Sequence, residues 1–409
     1  MAERAEPELQ RSDQAAWFDR LEVEYDNVRA ALDWACLTDA EAGLRLGGAL
    51  RQFWTIRSYW NEGREWLRRI LALPAAQVRT AARAKAINSA AFLAHTQDDT
   101  ASAERLYEES IAIWREAGNT SEGLLHALRV YGTLVHYHHD RARGRALIEE
   151  SIAIARAAGN ETQLAWSLYS LGMIMRAEEQ LDAAHTLFEE SLTLHRAVQN
   201  PTGLALVLGR LGEDALNRGE LERSLALVDE SLYFCRQTRD KHGLATGFAQ
   251  LARVVWLQHD LPRAVQVATE GLALARELGL TELSGWLLGE LGGLALQQEN
   301  VRSAEQYLAE ALELMHDSRQ QDAILFCLSG MAGVAVAAGQ FEYAATLWGK
   351  VNALRDRPVW ATIAPDIEQL SREIHSHLSE AEFAAAWSKG QAMSDEQAIA
   401  YALSTSDAS

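Results

Sequence analysis

Small residues recur along this chain at a fixed interval. Ala184, Ser224, Ala264, Ala304 and Ala344 stand 40 residues apart, Gly144 precedes them at the same step, and Ala103 and Gly63 follow upstream at 41 and 40. A period of this length marks stacked supersecondary units, each of which buries its apolar face only against its neighbours. The chain must therefore be read as an array, and its 409 residues do not translate into a number of globular domains.

One period shows what the unit is. Leu168, Leu171, Gly172 and Met175 share one face of a helix, Glu178, Glu179 and Gln180 make a polar turn, and Ala184, Leu187, Phe188 and Ser191 form the apolar face of a second helix. The pattern returns as Leu208, Leu211, Gly212 and Ala215 with Ser224, Leu227, Val228 and Ser231, and again as Leu288, Leu291, Gly292 and Ala295 with Ala304, Leu308 and Ala311. A small residue on each helix lets the two backbones of a hairpin approach, and the larger residues interlock with the next hairpin. Units begin near Arg83, Leu125, Ala165, Ala205, Ala245, Gly285 and Leu325. Two charge series share the period. Glu109, Glu150, Glu190, Glu230, Glu270 and Glu310 are one, and Arg115, Arg156, Arg196, Arg236 and Arg276 are the other, each Arg in the last turn of its helix, where the helix dipole favours a cation.

The ends depart from the repeat. Trp17, Leu21, Tyr25, Val28 and Leu32 predict one amphipathic helix ending near Cys36, followed by a divergent hairpin over Ala42 to Leu73. Pro358 and Pro365 interrupt the array, and Ser379 with Glu382 and Ser394 with Gln397 read as capping boxes opening two short helices. The expected organisation is a disordered N-terminus over 1–12, capping helices with a divergent repeat over 13–74, the array over 75–357, and C-terminal capping helices with a tail over 358–409.

Bulk properties narrow the function. The net charge of −19 opposes direct binding of nucleic acid, which needs clustered Lys and Arg. Apolar runs fall short of a membrane span, the first ten residues lack a secretion core, and Cys36, Cys235 and Cys327 are scattered, which together predict a cytoplasmic protein with free thiols. No nucleophile, zinc or phosphate-loop motif occurs: Gly349-Lys350 is followed by Val351 and lacks the upstream glycine. The expectation is a protein that is not an enzyme and uses no cofactor. His136, His138, His139 and Asp140 are the one local cluster from which a metal site, and with it a remote enzymatic alternative, could be built.

The step from Gly172 to Ala184, then Phe188 and Ser191, resembles the tetratricopeptide repeat. The resemblance implies an all-α fold, a right-handed α-solenoid of helical hairpins with a period of about 40 residues, in which the first helix of each hairpin lines a concave surface. The stretch Leu21 to Trp34, and Phe383-Ala384-Ala385-Ala386-Trp387 with Gly390-Gln391-Ala392 and Glu396-Gln397-Ala398, resemble the ends of the tetratricopeptide sensor module in bacterial MalT-like, LuxR-type signal-transduction ATPases. That family joins such a module to an ATPase and often to a DNA-binding domain. The chain has neither motif set, so the resemblance implies either the sensor module alone, excised or encoded separately, or a free-standing relative.

Carried onto this register, the concave positions are Lys85, Asn88, His126 and Arg129, then His136, Tyr137, Trp166 and Tyr169, then Arg176, Asn217, Arg253, Trp256 and Trp286. Arg clamps carboxylate or phosphate in two bonds and Trp offers flat apolar area, the residue types that dominate binding hot spots. Arg129, Arg176 and Arg253 are the expected anion contacts, and Trp166, Tyr169, Trp256 and Trp286 the expected stacking contacts. The carboxylate clamp of chaperone-binding repeats is not reproduced, because Asn88 is followed by Phe92 where that clamp needs a second Asn. The partner is expected to be a protein or peptide segment, or a small anionic or aromatic effector. An ATPase or DNA-binding partner, and self-association, fit the same surface. The alternative is a constitutive scaffold without an effector.

Overall fold

The computed structural model describes residues 1–11, 13–118, 121–316, 321–352 and 367–404. Every regular element among them is a helix, and the fold is an all-α helix-hairpin solenoid. Paired helices such as Glu161–Ala177 and Leu181–Ala197 alternate at the spacing the sequence predicts. Polar turns close five of the first helices through a residue at positive φ: Glu179, Gly219, His259, Glu299 and Gly339 occupy the same turn at intervals of 40. Glycine is the residue for which that backbone carries no Cβ penalty, and three of these five positions do without it.

The small residues act as the sequence predicts. A Cβ placed on Gly172 would lie 2.7 Å from the Phe188 ring, and one on Gly292 would lie 2.5 Å from Leu308. Glycine therefore lets a large apolar side chain sit directly on the partner helix, and burying Phe188 completely contributes about 1.5–3 kcal/mol. A serine on the second helix adds a bond not evident from the period alone. Ser110, Ser151, Ser191 and Ser231 donate to the carbonyls of Ala84, Leu125, Ala165 and Ala205 at 2.7–3.1 Å. Each bond ties a second helix to the first helix of its own hairpin. The charge series pair between hairpins, Arg115 with Glu150, Arg156 with Glu190, Arg196 with Glu230 and Arg276 with Glu310, all on exposed surface where such pairs contribute little.

The chain divides into two compact units, Met1–Asp214 with Asp229–Gly243, and Ala215–Val228 with Leu244–Ser409. In the first unit the single N-terminal helix expected from Trp17 to Leu32 is two, Gln14–Val23 and Tyr25–Thr38, broken at Glu24. The segment expected as a disordered tail carries a helix, Ala2–Glu8, because Ala2, Ala5 and Leu9 form a small apolar face that is buried. The remaining cap helices are Ala40–Ala49, Arg51–Ile56 and Trp60–Leu71, around a core in which Trp54 Nε1 donates to the Tyr25 hydroxyl at 2.7 Å.

In the second unit the helix Glu380–Gln391 packs on Phe341–Asn352 at glycines. A Cβ on Gly349 would fall 2.3 Å from the Trp387 carbonyl oxygen. Both capping boxes are present, at Ser379 with Glu382 and at Ser394 with Gln397. The interruption at Pro358 and Pro365 and the tail beyond Ser404 lie outside the described residues. No helix among those described is long and apolar enough to cross a membrane.

Candidate functional site

The expected concave residues fall into three groups, according to whether their polar atoms are already matched. The second unit holds a set gathered on one carboxylate, Glu290, whose Oε1 is matched and whose Oε2 is not. Arg253 donates through Nε to Glu290 Oε1 at 3.0 Å and lies over the rings of Trp256, Trp286 and Phe326 at 5.1–5.5 Å. Trp286 Nε1 donates to the same carboxylate, and Trp256 Nε1 to Gln297. Glu290 is 0% exposed, and burial pushes its carboxyl up to about 7 in spite of Arg253. Asn217 is exposed at the end of its helix, away from this set by sequence and burial.

A second matched set lies in the first unit. Arg176 forks onto Glu213, which Arg210 also contacts at 2.9 Å, and Arg210 hydrogen-bonds Tyr169. Burial works against ionisation of Glu213, yet Arg176 and Arg210 hold it below the usual carboxylate range. The anion-binding fork expected of Arg176 is thus filled from within the chain. Lys85 pairs with Glu6, Tyr137 donates to the Met173 carbonyl at 3.2 Å, and His136 Nδ1 meets the Arg141 carbonyl at 3.2 Å. His139 pairs with Glu104, so the histidine cluster is dispersed among separate partners.

The third set is open. Arg129, His126 and Trp166 line a cavity of about 460 Å³ in the first unit, together with Arg51, Phe92 and Gln163. Arg129 reaches Ser170 Oγ at 3.4 Å, its Nε has no partner, and its guanidinium lies 5.6 Å from the centre of the Trp166 ring. Burial, then Arg51, lowers its pKa to about 10. His126 is 5% exposed and Gln163 is 4% exposed, yet His126 Nε2 and Gln163 Oε1 are both unpartnered. Asn88 Nδ2 donates to the Gly123 carbonyl at 3.1 Å, which turns Asn88 Oδ1 toward His126 Nδ1 at 3.1 Å. That orientation places the imidazole proton on Nδ1 and leaves Nε2 as a bare acceptor. Burial, then Arg51 and Arg129, keeps the ring neutral by pushing its pKa well down. Behind Trp166, His195 is fully buried and edge-on to it at 4.8 Å.

Arg51 and Gln163 are the site residues that the repeat register missed. Arg51 belongs to the cap helix Arg51–Ile56, outside the periodic array, and Gln163 sits in the first turn of Glu161–Ala177, before the positions that face inward by period. A larger cavity of about 650 Å³ lies between Trp60–Leu71 and the first hairpin, but its Arg64, Arg68 and Arg83 are paired with Asp99, Glu65 and Glu109. Size alone does not make a ligand site, and unmatched polar groups are the better guide.

Residues 83–117 and 164–199 match the tetratricopeptide repeat family. These two hairpins are similar to tetratricopeptide repeats. None of the curated proteins compared with the chain matches it in sequence. Among solved structures, the apo form of the quorum sensor NprR from B. thuringiensis is similar at 12% identity and a TM-score of 0.55, over 83% of this chain and 94% of that one. A signal-transduction ATPase with numerous domains and a tetratricopeptide repeat sensor, from Pyrococcus horikoshii, is similar at 12% identity and a TM-score of 0.55, over 90% of this chain and 55% of that one. A Rap protein complexed with competence and sporulation factor is similar at 11% identity and a TM-score of 0.51, over 77% of this chain and 97% of that one. At such identities the likeness is one of fold.

Proposed function

We propose that this chain is a non-enzymatic sensing and interaction module of a bacterial regulatory system, and that it binds a small effector, a peptide or a partner protein on the inner face of its first unit. The observation that carries the reading is the unmatched set around Arg129: a part-buried cation with a bare Nε, a bare histidine nitrogen and a bare amide oxygen line one cavity, while the guanidinium groups of Arg176 and Arg253 already face the carboxylates of Glu213 and Glu290. Buried polar groups in native proteins are matched, so an open set at a cavity points to a ligand that completes it.

The fold shared with a quorum sensor and with an ATPase that carries a repeat sensor supports a role in signal reception. The resemblances at Leu21–Trp34 and Phe383–Trp387 support the MalT-like group within that role. On this reading the chain works in the cytoplasm, and its output partner is an ATPase, a DNA-binding protein or a second copy. A ligand acts by favouring one arrangement of the hairpins, which requires different affinities for the arrangements it chooses between.

Native mass spectrometry of the full chain, followed by denaturing analysis of whatever is retained, tests the reading. A retained molecule that is lost in Arg129→Gln supports the site. Retention unaffected by that change, in a normally folded protein, contradicts it.

A further inference from the structure

Resting on the inner-face reading above, we infer that the cavity of the first unit takes a small organic monoanion built on a flat ring, of the arylcarboxylate class, and that the N-terminal cap supplies half of the anion clamp.

Charge sets the first requirement. Arg51 from the cap and Arg129 from the second hairpin both line the cavity, and neither guanidinium pairs with a carboxylate among the described residues. Glu6 lies near Arg51 but is held by Lys85. The one carboxylate on the wall is Asp240, whose Oδ1 accepts from the Gly243 amide at 2.9 Å and whose neighbours include Arg57 and His242. The charges acting on Asp240 are His242 and Arg57, and neither Arg51 nor Arg129 is among them, so the two clamp guanidinium groups face no carboxylate of this wall. An ion without a partner is costly to bury, and a ligand carboxylate would relieve that cost for both guanidinium groups.

Hydrogen bonding sets the second. His126 Nε2 and Gln163 Oε1 are acceptors without donors. They call for an N–H or O–H on the ligand, apart from its anionic group. Shape sets the third. Phe92, Trp166 and Trp60 provide flat walls, with Arg51 lying over the Phe92 ring at 5.1 Å. A volume of about 460 Å³ is that of a small-molecule pocket.

Contacts of the cap across the cavity argue for one small occupant over a chain threaded through the unit. The cap helix Gln14–Val23 is tied to the residues that carry the far wall: Gln14 hydrogen-bonds Thr202 at 2.8 Å, and Asp19 bridges Arg57 and Arg239 at 3.0 and 2.8 Å. Arg57 also donates to the Thr238 carbonyl at 3.0 Å. Thr202 and Asp240 themselves line the cavity. A ligand held by Arg51 and Arg129 therefore fastens the cap to the repeats.

The test uses 6-hydroxy-2-naphthoate and its neutral isostere 6-hydroxy-2-naphthamide, both with the ring O–H that the two bare acceptors call for, titrated calorimetrically into the full chain and into Arg51→Gln and Arg129→Gln. Naphthoate should bind about tenfold or more tightly than the amide, the size expected of a hydrogen bond to a charged group. Each variant should lose about that factor for naphthoate while keeping its affinity for the amide. Because the empty clamp holds an unbalanced charge, each variant should also melt no lower than the wild type when ligand-free. Arg51→Lys, which keeps the charge, guards against a folding artefact and should retain part of the preference. Equal affinity for acid and amide, or unchanged naphthoate binding in both Gln variants, overturns the inference. If neither probe binds but the native protein retains another molecule that is lost in Arg129→Gln, the ligand class is wrong and the inner-face reading survives. If nothing depends on Arg129, both fall.

Discussion

The Nε of Arg253 is 3.0 Å from Oε1 of Glu290, and the carboxylate it meets is wholly buried. This pair has a pH signature. Burial raises Glu290 to about 7, well above its value in an unfolded chain. The folded state therefore holds more protons than the unfolded state between about 4.5 and 7, and the contribution of this group to stability falls as pH rises through that window. Melting temperatures across pH 5–8 should show Glu290→Gln gaining on the wild type as pH rises. A difference independent of pH would show that Glu290 is already ionised throughout.

The turn series supplies a stabilising change. Glu299 sits at φ 58° on an exposed turn, where Gly219 and Gly339 stand in equivalent units. Glu299→Gly should raise stability by about 0.5–1 kcal/mol in denaturant unfolding, the left-handed penalty less the added freedom of the unfolded chain. A loss of stability would mean that Glu299 makes a contact worth more than its strain.

The serine bonds predict near-equal losses at equivalent places. Ser191→Ala removes the donor to the buried Ala165 carbonyl and should cost about 1 kcal/mol, as should Ser231→Ala at the Ala205 carbonyl. Hydrogen exchange resolved to single helices is the measurement to use, because repeat arrays lose structure locally. Protection that falls across the whole first unit equally would contradict a local bond.

Close approach within a hairpin is tested at Gly172. A methyl there would lie 2.7 Å from the Phe188 ring, so Gly172→Ala should cost about 1–3 kcal/mol by overpacking. Phe188→Leu in the same chain should recover part of that loss, a coupling that double-mutant unfolding measures.

Much of the fold was legible because it is periodic. Ala184, Phe188 and Ser191 repeat their chemistry every 40 residues, and the helices and turns of the array followed from it, while the two capping boxes were legible from their own Ser-x-x-Glu and Ser-x-x-Gln spacing. The cap was less legible. The apolar face from Trp17 to Leu32 continues across Glu24 without a sequence break, while the backbone bends there, and the face of Ala2, Ala5 and Leu9 was too small to stand out from a charged segment. The site was legible by residue type and not by state. Arg129, Arg176 and Arg253 occupy similar inward positions, and only the carboxylates opposite them, Glu213 and Glu290, distinguish a filled fork from an open one. Those carboxylates come from the next hairpin, 37 residues on in each case, so the pairing belongs to the stacking of hairpins. Arg51 could not be placed by period, since it enters the cavity from the cap.

On the proposed function, Arg129 and Arg176 hold opposite roles, the first open to a ligand and the second already paired with Glu213. Ligand-free melting of the full chain as Arg129→Gln and as Arg176→Gln tests that assignment most directly. Arg176→Gln removes a fork from the part-buried Glu213 and should cost about 1–3 kcal/mol. Arg129→Gln removes a cation that lacks a counter-charge, and should leave the melting temperature unchanged or raise it. Equal destabilisation by the two changes would make Arg129 a structural residue and contradict the binding site.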